Sequence, residues 1–456
     1  MRTGRPDLDL NDIHNAFNEH DISKIRLGVF DIDGILRGKY VSRDKFESAV
    51  SSGMSFCDVL FGWDMNDDLY DRESLTGWST GYPDSRVNID LSTFRLVPWE
   101  PDTAFFLMDM VDADGSPYPL SPRHLLSRVV DRAASMGYTF RASAEYEYFF
   151  FEETSHSLHE KGFRDLKPLS PGMFGYSAVR ASTYSELVHD IIDSMDTFRV
   201  PIEGIHTETG PGVYETAIRY TDGIEAADRA ALFKNGIKEL SPRHGLVATF
   251  MAKWNAELPG CSGHIHQSLL DTEGNNLFAS EDADLSDLAK SYAAGVLSLM
   301  PAMTALYCPN INSYKRAVPG VWSPINVSWG IENRTTALRA IPGNTSAATR
   351  LECRLPGADA NPYLVMAAAL ASGLYGIEQK LDAPDPVAGN AYEAEDLTPL
   401  PPNLGDAAAQ FGSNSAVRSI LGDTFVDHYV MSREYEVRRY EKAVTDWELS
   451  RYFEVT

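Results

Sequence analysis

The chain has 456 residues, of which 43% are hydrophobic and 23% charged, and its formal net charge is −25. That length suits two domains or one large domain with an appendage, and the composition is that of a soluble globular protein. The surplus of acid excludes nucleic acid as the main partner, because a phosphate backbone requires a basic face. Cys57, Cys261, Cys308 and Cys353 show no paired spacing, the N-terminus has no apolar leader, and the longest apolar run, 363–370, is too short to cross a bilayer. These features predict a cytoplasmic protein with reduced thiols and no membrane partner.

Residues 1–20 read as a short polar helix. Residues 26–41 read as two strands around an Asp33-Gly34 turn, and a helix follows at 44–51. The stretch 77–98, dense in Gly, Pro and Asp, reads as irregular. Residues 105–111 form a buried-strand candidate closed by Asp114-Gly115. From 121 the texture changes to alternating strands and helices, opened by an amphipathic helix at 122–136 with Pro122 in its first turn. Strands are predicted at 138–151, 202–207, 249–252, 263–269, 327–330 and 350–355. Helices are predicted at 184–199, 224–244, 285–305 and 362–380. Residues 382–404 read as a surface loop, and the C-terminus as charged helix.

Several of these strands carry charge where core residues would be expected. Side chains two apart in a strand share a face, so Glu145 pairs with Glu147, His264 with His266, and Glu352 with Arg350 and Arg354. One such stripe is compatible with a solvated edge. Several in one chain, flanked by apolar and Ala-rich segments, read as strands lining a cavity, since buried charge is costly unless paired or metal-bound. Glu208 and Glu215 bracket the turn Thr209-Gly210-Pro211-Gly212, which would bring both carboxylates to one point. Oxygen ligands with an added imidazole suit Mg²⁺ or Mn²⁺, and the lack of cysteine in these clusters excludes structural zinc. Five arginines (Arg316, Arg334, Arg339, Arg350 and Arg354) supply a basic counterpart that suits metal-bound polyphosphate and a carboxylate substrate. There is no GxxxxGK[ST] loop, which excludes a P-loop NTPase.

At these residues the chain resembles the glutamine synthetase family over nearly its whole length. The stretches that carry the resemblance are 144–150 (AEYEYFF), 208–215 (ETGPGVYE), 263–268 (GHIHQS), 312–320 (NSYKRAVPG), 332–334 (ENR), 350–354 (RLECR) and 360–363 (ANPY). The resemblance implies an α+β chain: a small N-terminal β-grasp domain (1–115) and a large catalytic domain (116–456) with a curved antiparallel sheet and surrounding helices. It also implies a homo-oligomer, a dodecamer of two stacked hexameric rings, with each site closed by a neighbour's N-terminal domain. By position, Glu147, Glu208 and Glu215 would hold one Mg²⁺ or Mn²⁺, and Glu145, His264 and Glu352 another. His266 and Ser268 would contact ATP, with Arg334 and Arg350 on its phosphates. Gly260, Arg316 and Arg354 would fix glutamate, and Arg339 and Arg316 would serve catalysis. The implied reaction joins the glutamate γ-carboxyl to an amine through γ-glutamyl phosphate.

The departures from the family pattern matter as much as the matches. Ammonia-using members carry a glutamate shortly after the Lys-Arg-x-x-Pro-Gly motif; this chain has Trp322 there. An indole cannot accept a proton from ammonium but can pack against an alkyl group, so the pattern resembles the γ-glutamyl-amine ligase branch, with a small monoamine as substrate. Phe61 and Trp63 of the adjoining subunit would complete the amine pocket, and either Asp58 or Asp64 would supply the second acid. Ala347 stands where a lysine is usual, and the residues after Tyr392 do not continue the adenylylation motif. An ammonia-using glutamine synthetase and a non-catalytic structural relative are the alternative readings.

Overall fold

The computed structural model describes residues 8–112, 114–280 and 285–456; the first seven residues of the expected N-terminal helix lie outside these. Helix α1 (Leu10–Glu19) starts at Asp9, whose carboxylate accepts from the Asp12 amide. Strands β1 (Lys24–Phe30) and β2 (Leu36–Ser42) pair antiparallel around the Asp33-Gly34 turn. Helix α2 (Arg43–Ser52) leads to β3 (Met54–Cys57), β4 (Asp84–Leu96) and β5 (Thr103–Val111). The strands form one sheet in the order β2-β1-β5-β4-β3, with β1 and β5 parallel at its centre. This is the β-grasp arrangement. Ala104, Phe106 and Met108 of β5 pack with Phe17 of α1 and Phe46 of α2, whereas Phe105 and Leu107 face the main core. A strand covered on both faces need not alternate, which explains its unbroken apolar sequence.

The structure corrects one prediction here. Much of the stretch 77–98 is not irregular: 13 of its residues form β4, with a register shift between Asp90 and Arg95. Pro83 and Pro98 lie just outside this strand and bracket it, rather than breaking it.

The larger body is built on nine strands. Helix α3 (Pro122–Ser135) precedes the long β6 (Thr139–Phe151). Three helices, α4 (Ser155–Glu160), α5 (Ala178–Thr183) and α6 (Ser185–Thr197), lead to β7 (Ile202–Thr207), β8 (Val213–Ile218) and the short β9 (Thr221–Asp222). Helix α7 (Gly223–Leu240) is followed by β10 (Val247–Thr249), β11 (Gly263–Leu270) and α8 (Asp287–Tyr307). Then come β12 (Trp329–Ile331), β13 (Leu338–Ile341), β14 (Arg350–Cys353) and α9 (Pro362–Gln379). Four helices close the chain: α10 (Leu404–Ser413), α11 (Ser415–Leu421), α12 (Asp423–Lys442) and α13 (Asp446–Tyr452). The sheet order is β12-β13-β14-β11-β6-β8-β7, with β9 and β10 also on β6; only β12 and β13 pair in parallel.

Alternation along β6 divides the molecule. Phe140, Ala142, Ala144, Tyr146 and Tyr148 are buried in the main core with Phe233 of α7, leaving Glu145 and Glu147 on the opposite face. Behind the sheet α8 and α9 touch closely: a Cβ on Gly295 would lie 2.2 Å from the Ser372 carbonyl oxygen. The sheet therefore has a rigid apolar back and a polar front.

Candidate active site

The polar face is assembled by strand register. Glu145 on β6 sits opposite His264 on β11, and Glu147 sits opposite Glu215 on β8. Farther along, His266 faces Glu352 on β14, and Glu352 faces Arg339 on β13. Cross-strand neighbours have side chains about 5 Å apart, so residues as distant in sequence as 145 and 352 converge without any loop having to carry them.

Two groups of ligand-type atoms result. Glu145, His264 and Glu352 form one, and Glu147, Glu208 and Glu215 the other, each with its atoms within 4.8 Å of one another. His264 Nδ1 lies 3.5 Å from Glu145 Oε1 and 3.3 Å from Glu352 Oε1, and this buried nitrogen makes no hydrogen bond. An imidazole nitrogen facing two carboxylate oxygens at those distances is a donor set for a divalent cation, as is the all-oxygen trio beside it. Bound there, such cations would supply positive charge to polyphosphate oxygens.

The electrostatics differ between the two groups. Burial raises the Glu352 carboxyl, but the charges of His264, His266 and Arg354 outweigh it and hold the group down at about 2. Burial raises Glu145 too, but the neighbouring His264 and His266 imidazoles outweigh it and hold that carboxyl well below the carboxylate range. Glu147 is instead pushed up, by burial and by Glu208, although the Ser262 amide donates to it at 2.5 Å. Glu215 is pushed up by burial, with Glu145 and Glu147 adding to it. This second trio holds excess like charge.

Arginines close the other side. Arg354 binds Glu352 at 2.5 Å and Arg339 binds it at 3.1 Å, while Arg339 also pairs with Glu332. Arg350 donates to His266 Nδ1 at 3.1 Å and to the Ala348 carbonyl. Arg316, buried, donates to the Leu355 carbonyl. All of these line one cavity of about 860 Å³, together with Gly260, Arg334 and both acidic groups. Ser268 lies outside it, in an adjoining cavity of about 310 Å³ that shares Glu145, His266 and Arg350 and is also lined by Ala347.

At the rim the lining turns apolar. Trp322 is 61% exposed and takes a left-handed backbone (φ 62°), a conformation rare for a bulky residue and common at functional turns. The Tyr392 hydroxyl donates to the Ser323 carbonyl at 3.1 Å and ties down the residue after it. Met173 and Tyr176, both largely exposed, line the same cavity.

The chain matches the family model for the glutamine synthetase catalytic domain over residues 119–452. It is 45% identical over 449 residues to a Dictyostelium discoideum protein named type-1 glutamine synthetase 2, covering 96% of this chain and 85% of that one. It is 42% identical over 448 residues to a glutamate–isopropylamine ligase of a Pseudomonas species, covering 97% of each. The chain belongs to the glutamine synthetase family. A solved structure of GmaS without ligand superposes with a TM-score of 0.85 at 27% identity, covering 98% of this chain and 99% of that one. Membership makes this chain an ATP-dependent carbon–nitrogen ligase of the glutamate–amine class.

Phe61, Trp63, Asp58 and Asp64, expected at a neighbouring subunit's site, do not line this chain's own cavity. Phe61 is fully buried and stacks on Tyr118 with ring centroids 5.1 Å apart, so it belongs to the core of the small sheet. Trp63 is covered by Arg37, whose guanidinium lies 5.1 Å from its ring centroid. Asp64 is buried and accepts the amides of Asn66 and Asp68, capping its own turn. Asp58 is buried and accepts from the Tyr118 hydroxyl at 3.4 Å, with burial raising its carboxyl. Conversely, the sequence reading omitted His206, Met173 and Tyr176. His206 opposes Glu215 in register and lies 3.0 Å from it; burial would lower the imidazole, but the Glu215 contact raises it to about 9. Tyr176 stacks on that ring at 4.2 Å. The His206-x-Glu208 spacing repeats the two-residue pattern of the other motifs and was the available signal.

Proposed function

We propose that the chain joins the γ-carboxyl of L-glutamate to a small primary amine other than ammonia, through γ-glutamyl phosphate. ATP transfers its γ-phosphoryl group to a γ-carboxylate oxygen and leaves as ADP. The amine nitrogen then forms a bond to the acyl carbon, the C–O bond to phosphate breaks, and a proton is released with inorganic phosphate. In this reading Glu147, Glu208 and Glu215 hold one Mg²⁺ or Mn²⁺, and Glu145, His264 and Glu352 hold a second. Arg334, Arg350, His266 and Ser268 serve ATP, Arg316, Arg354 and Gly260 hold glutamate, and Arg339 neutralises charge developing on the transferred group.

The observation that carries the amine assignment is the apolar rim on an otherwise charged cavity. Trp322, Met173 and Tyr176 offer hydrophobic surface that an alkyl substituent would bury and ammonium would not. The 42% identity to an isopropylamine ligase points the same way. The 45% identity to a protein named as a glutamine synthetase favours ammonia as the second reading. Phosphate release with glutamate, ATP and a panel of amines separates them: a small alkylamine is expected to give the highest kcat/KM, and fastest turnover with ammonium would reject the amine assignment.

The family also supports a homo-oligomer, with the dodecamer as the proposed state. Exposed Val444, Trp447, Phe453 and Val455 at the C-terminus fit coverage by another subunit. Residues 1–115 and 116–456 are the proposed domains. Among the described residues no helix is long and apolar enough to cross a membrane, and a cytoplasmic location is part of the same proposal.

A further inference from the structure

On the back of the large sheet lies a second sizeable cavity, of about 730 Å³, which the reaction does not use. The β1–β2 turn, α7, the segment 310–315 and α12 contribute to its wall. Three lysines, Lys234, Lys238 and Lys315, line it, and none is within ion-pair distance of a carboxylate among the described residues. The Lys234 ammonium donates to the Ala360 carbonyl at 2.9 Å and lies 5.6 Å from the Tyr146 ring centroid and 5.8 Å from that of Phe250. Burial and the charge of Lys238 push it down to about 7, against the weaker opposing pull of Asp359. Lys238, exposed to solvent, also sits over Phe250, and Lys315 sits over Tyr440.

The acids lining this cavity are mostly engaged elsewhere. Asp33 binds Arg433 at 2.6 Å, and Asp359 accepts from Asn310 and Ser313 at 2.9 and 2.5 Å; Glu436 of α12 is the third. Cations resting on aromatic rings with no carboxylate partner are primed for an added anion. Ile35, Leu36, Met251 and Ile311 give the same cavity an apolar wall.

We propose that this cavity binds a small organic acid, its carboxylate on Lys234 and Lys238 and its apolar body against Phe250 and Ile311, and that binding alters glutamate affinity. Three links couple the cavity to the active site. The segment 310–315 runs directly into Arg316, which lines the catalytic cavity, and Asn312 exchanges two 2.8 Å hydrogen bonds with Lys253 at the start of the segment leading to Gly260. Tyr146, beneath Lys234, is held between Glu145 and Glu147 on β6.

The test is ligand-observed NMR with benzoate and hexanoate, on enzyme already saturated with glutamate so that the catalytic cavity is occupied. Saturable binding is expected, weakened at least tenfold in Lys234→Met and at least threefold in Lys238→Ala, whose exposed side chain leaves folding intact. Both acids should shift the KM for glutamate at least twofold in the wild type and less in Lys238→Ala. Absence of saturable binding, affinity unchanged in Lys238→Ala, or equal displacement by inorganic phosphate would overturn the site. Binding with no change in KM would overturn the coupling.

Discussion

Two of the molecule's clusters of buried charge are built on opposite principles. Where the small sheet meets the large body, Arg123 donates to Asp90 at 2.6 Å, to Asp228 at 3.0 Å and to Asp109, and the Tyr363 hydroxyl also donates to Asp228. Nearby Arg95, fully buried, binds Glu225 at 3.1 Å. Carboxylate and guanidinium are interleaved, so the joint is complete as it stands. At the active site, by contrast, no arginine or lysine of the described residues pairs with Glu147, Glu208 or Glu215, and their mutual repulsion adds to the burial that raises Glu147 and Glu215. Burial of charge therefore does not by itself mark function. An unneutralised surplus of one sign does, because something must arrive to balance it.

Substitutions on the two sides should break in different ways. Glu147→Gln is expected to lower kcat/KM about a thousandfold, roughly 4 kcal/mol of transition-state stabilisation, while the melting temperature holds or rises as like charge is relieved. Arg123→Met should do the reverse: it removes the cation shared by three carboxylates and costs about 3–5 kcal/mol in denaturant unfolding, with activity per folded molecule within about twofold. A Glu147→Gln enzyme that unfolds, or an Arg123→Met enzyme that is stable but inactive, would erase the distinction.

A pH titration sharpens it. His428 of α12 is buried against Ser74, with Nδ1 2.5 Å from the hydroxyl oxygen, and burial together with Arg433 pushes its imidazole down to about 3. An unfolded histidine titrates near 6.5, so the unfolded state takes up a proton that the folded state refuses. The resulting stability is complete above pH 6.5 and lost as pH falls toward 3, by about 3 kcal/mol between pH 6.5 and 4. His428→Gln should flatten that acid limb, and an unchanged limb would place the acid sensitivity elsewhere. The smallest effect expected is on specificity: Trp322→Glu should move preference toward ammonium about tenfold, roughly 1.4 kcal/mol, read as the ratio of kcat/KM for ammonium and isopropylamine. No movement would remove Trp322 from amine selection.

Much of the site was legible because strand geometry is local. Glu145 and Glu147, His264 and His266, and Arg350, Glu352 and Arg354 could be placed on common faces from spacing alone, and the structure puts each set on the cavity. The family motifs then said which strands meet. What stayed hidden depends on contacts across the chain. Nothing local in the aromatic stretch announced that Phe61 stacks on Tyr118 or that Trp63 lies under Arg37. Met173 and Tyr176 sit in a loop with no periodicity, so nothing local announced them. Strand β4 was masked by its own Asp and Ser residues and by the prolines outside its ends, although Val87, Ile89 and Leu91 keep the alternation.

Counting manganese ions tests the central claim most directly. Titration of Mn²⁺ followed by electron paramagnetic resonance, in the presence of glutamate and a non-hydrolysable ATP analogue, should give at least two tightly bound ions per chain. Glu215→Gln should lose one of them and Glu352→Gln the other, while Arg123→Met should retain both. Fewer than two ions in the wild type, or a count that survives both glutamate substitutions, would contradict the account.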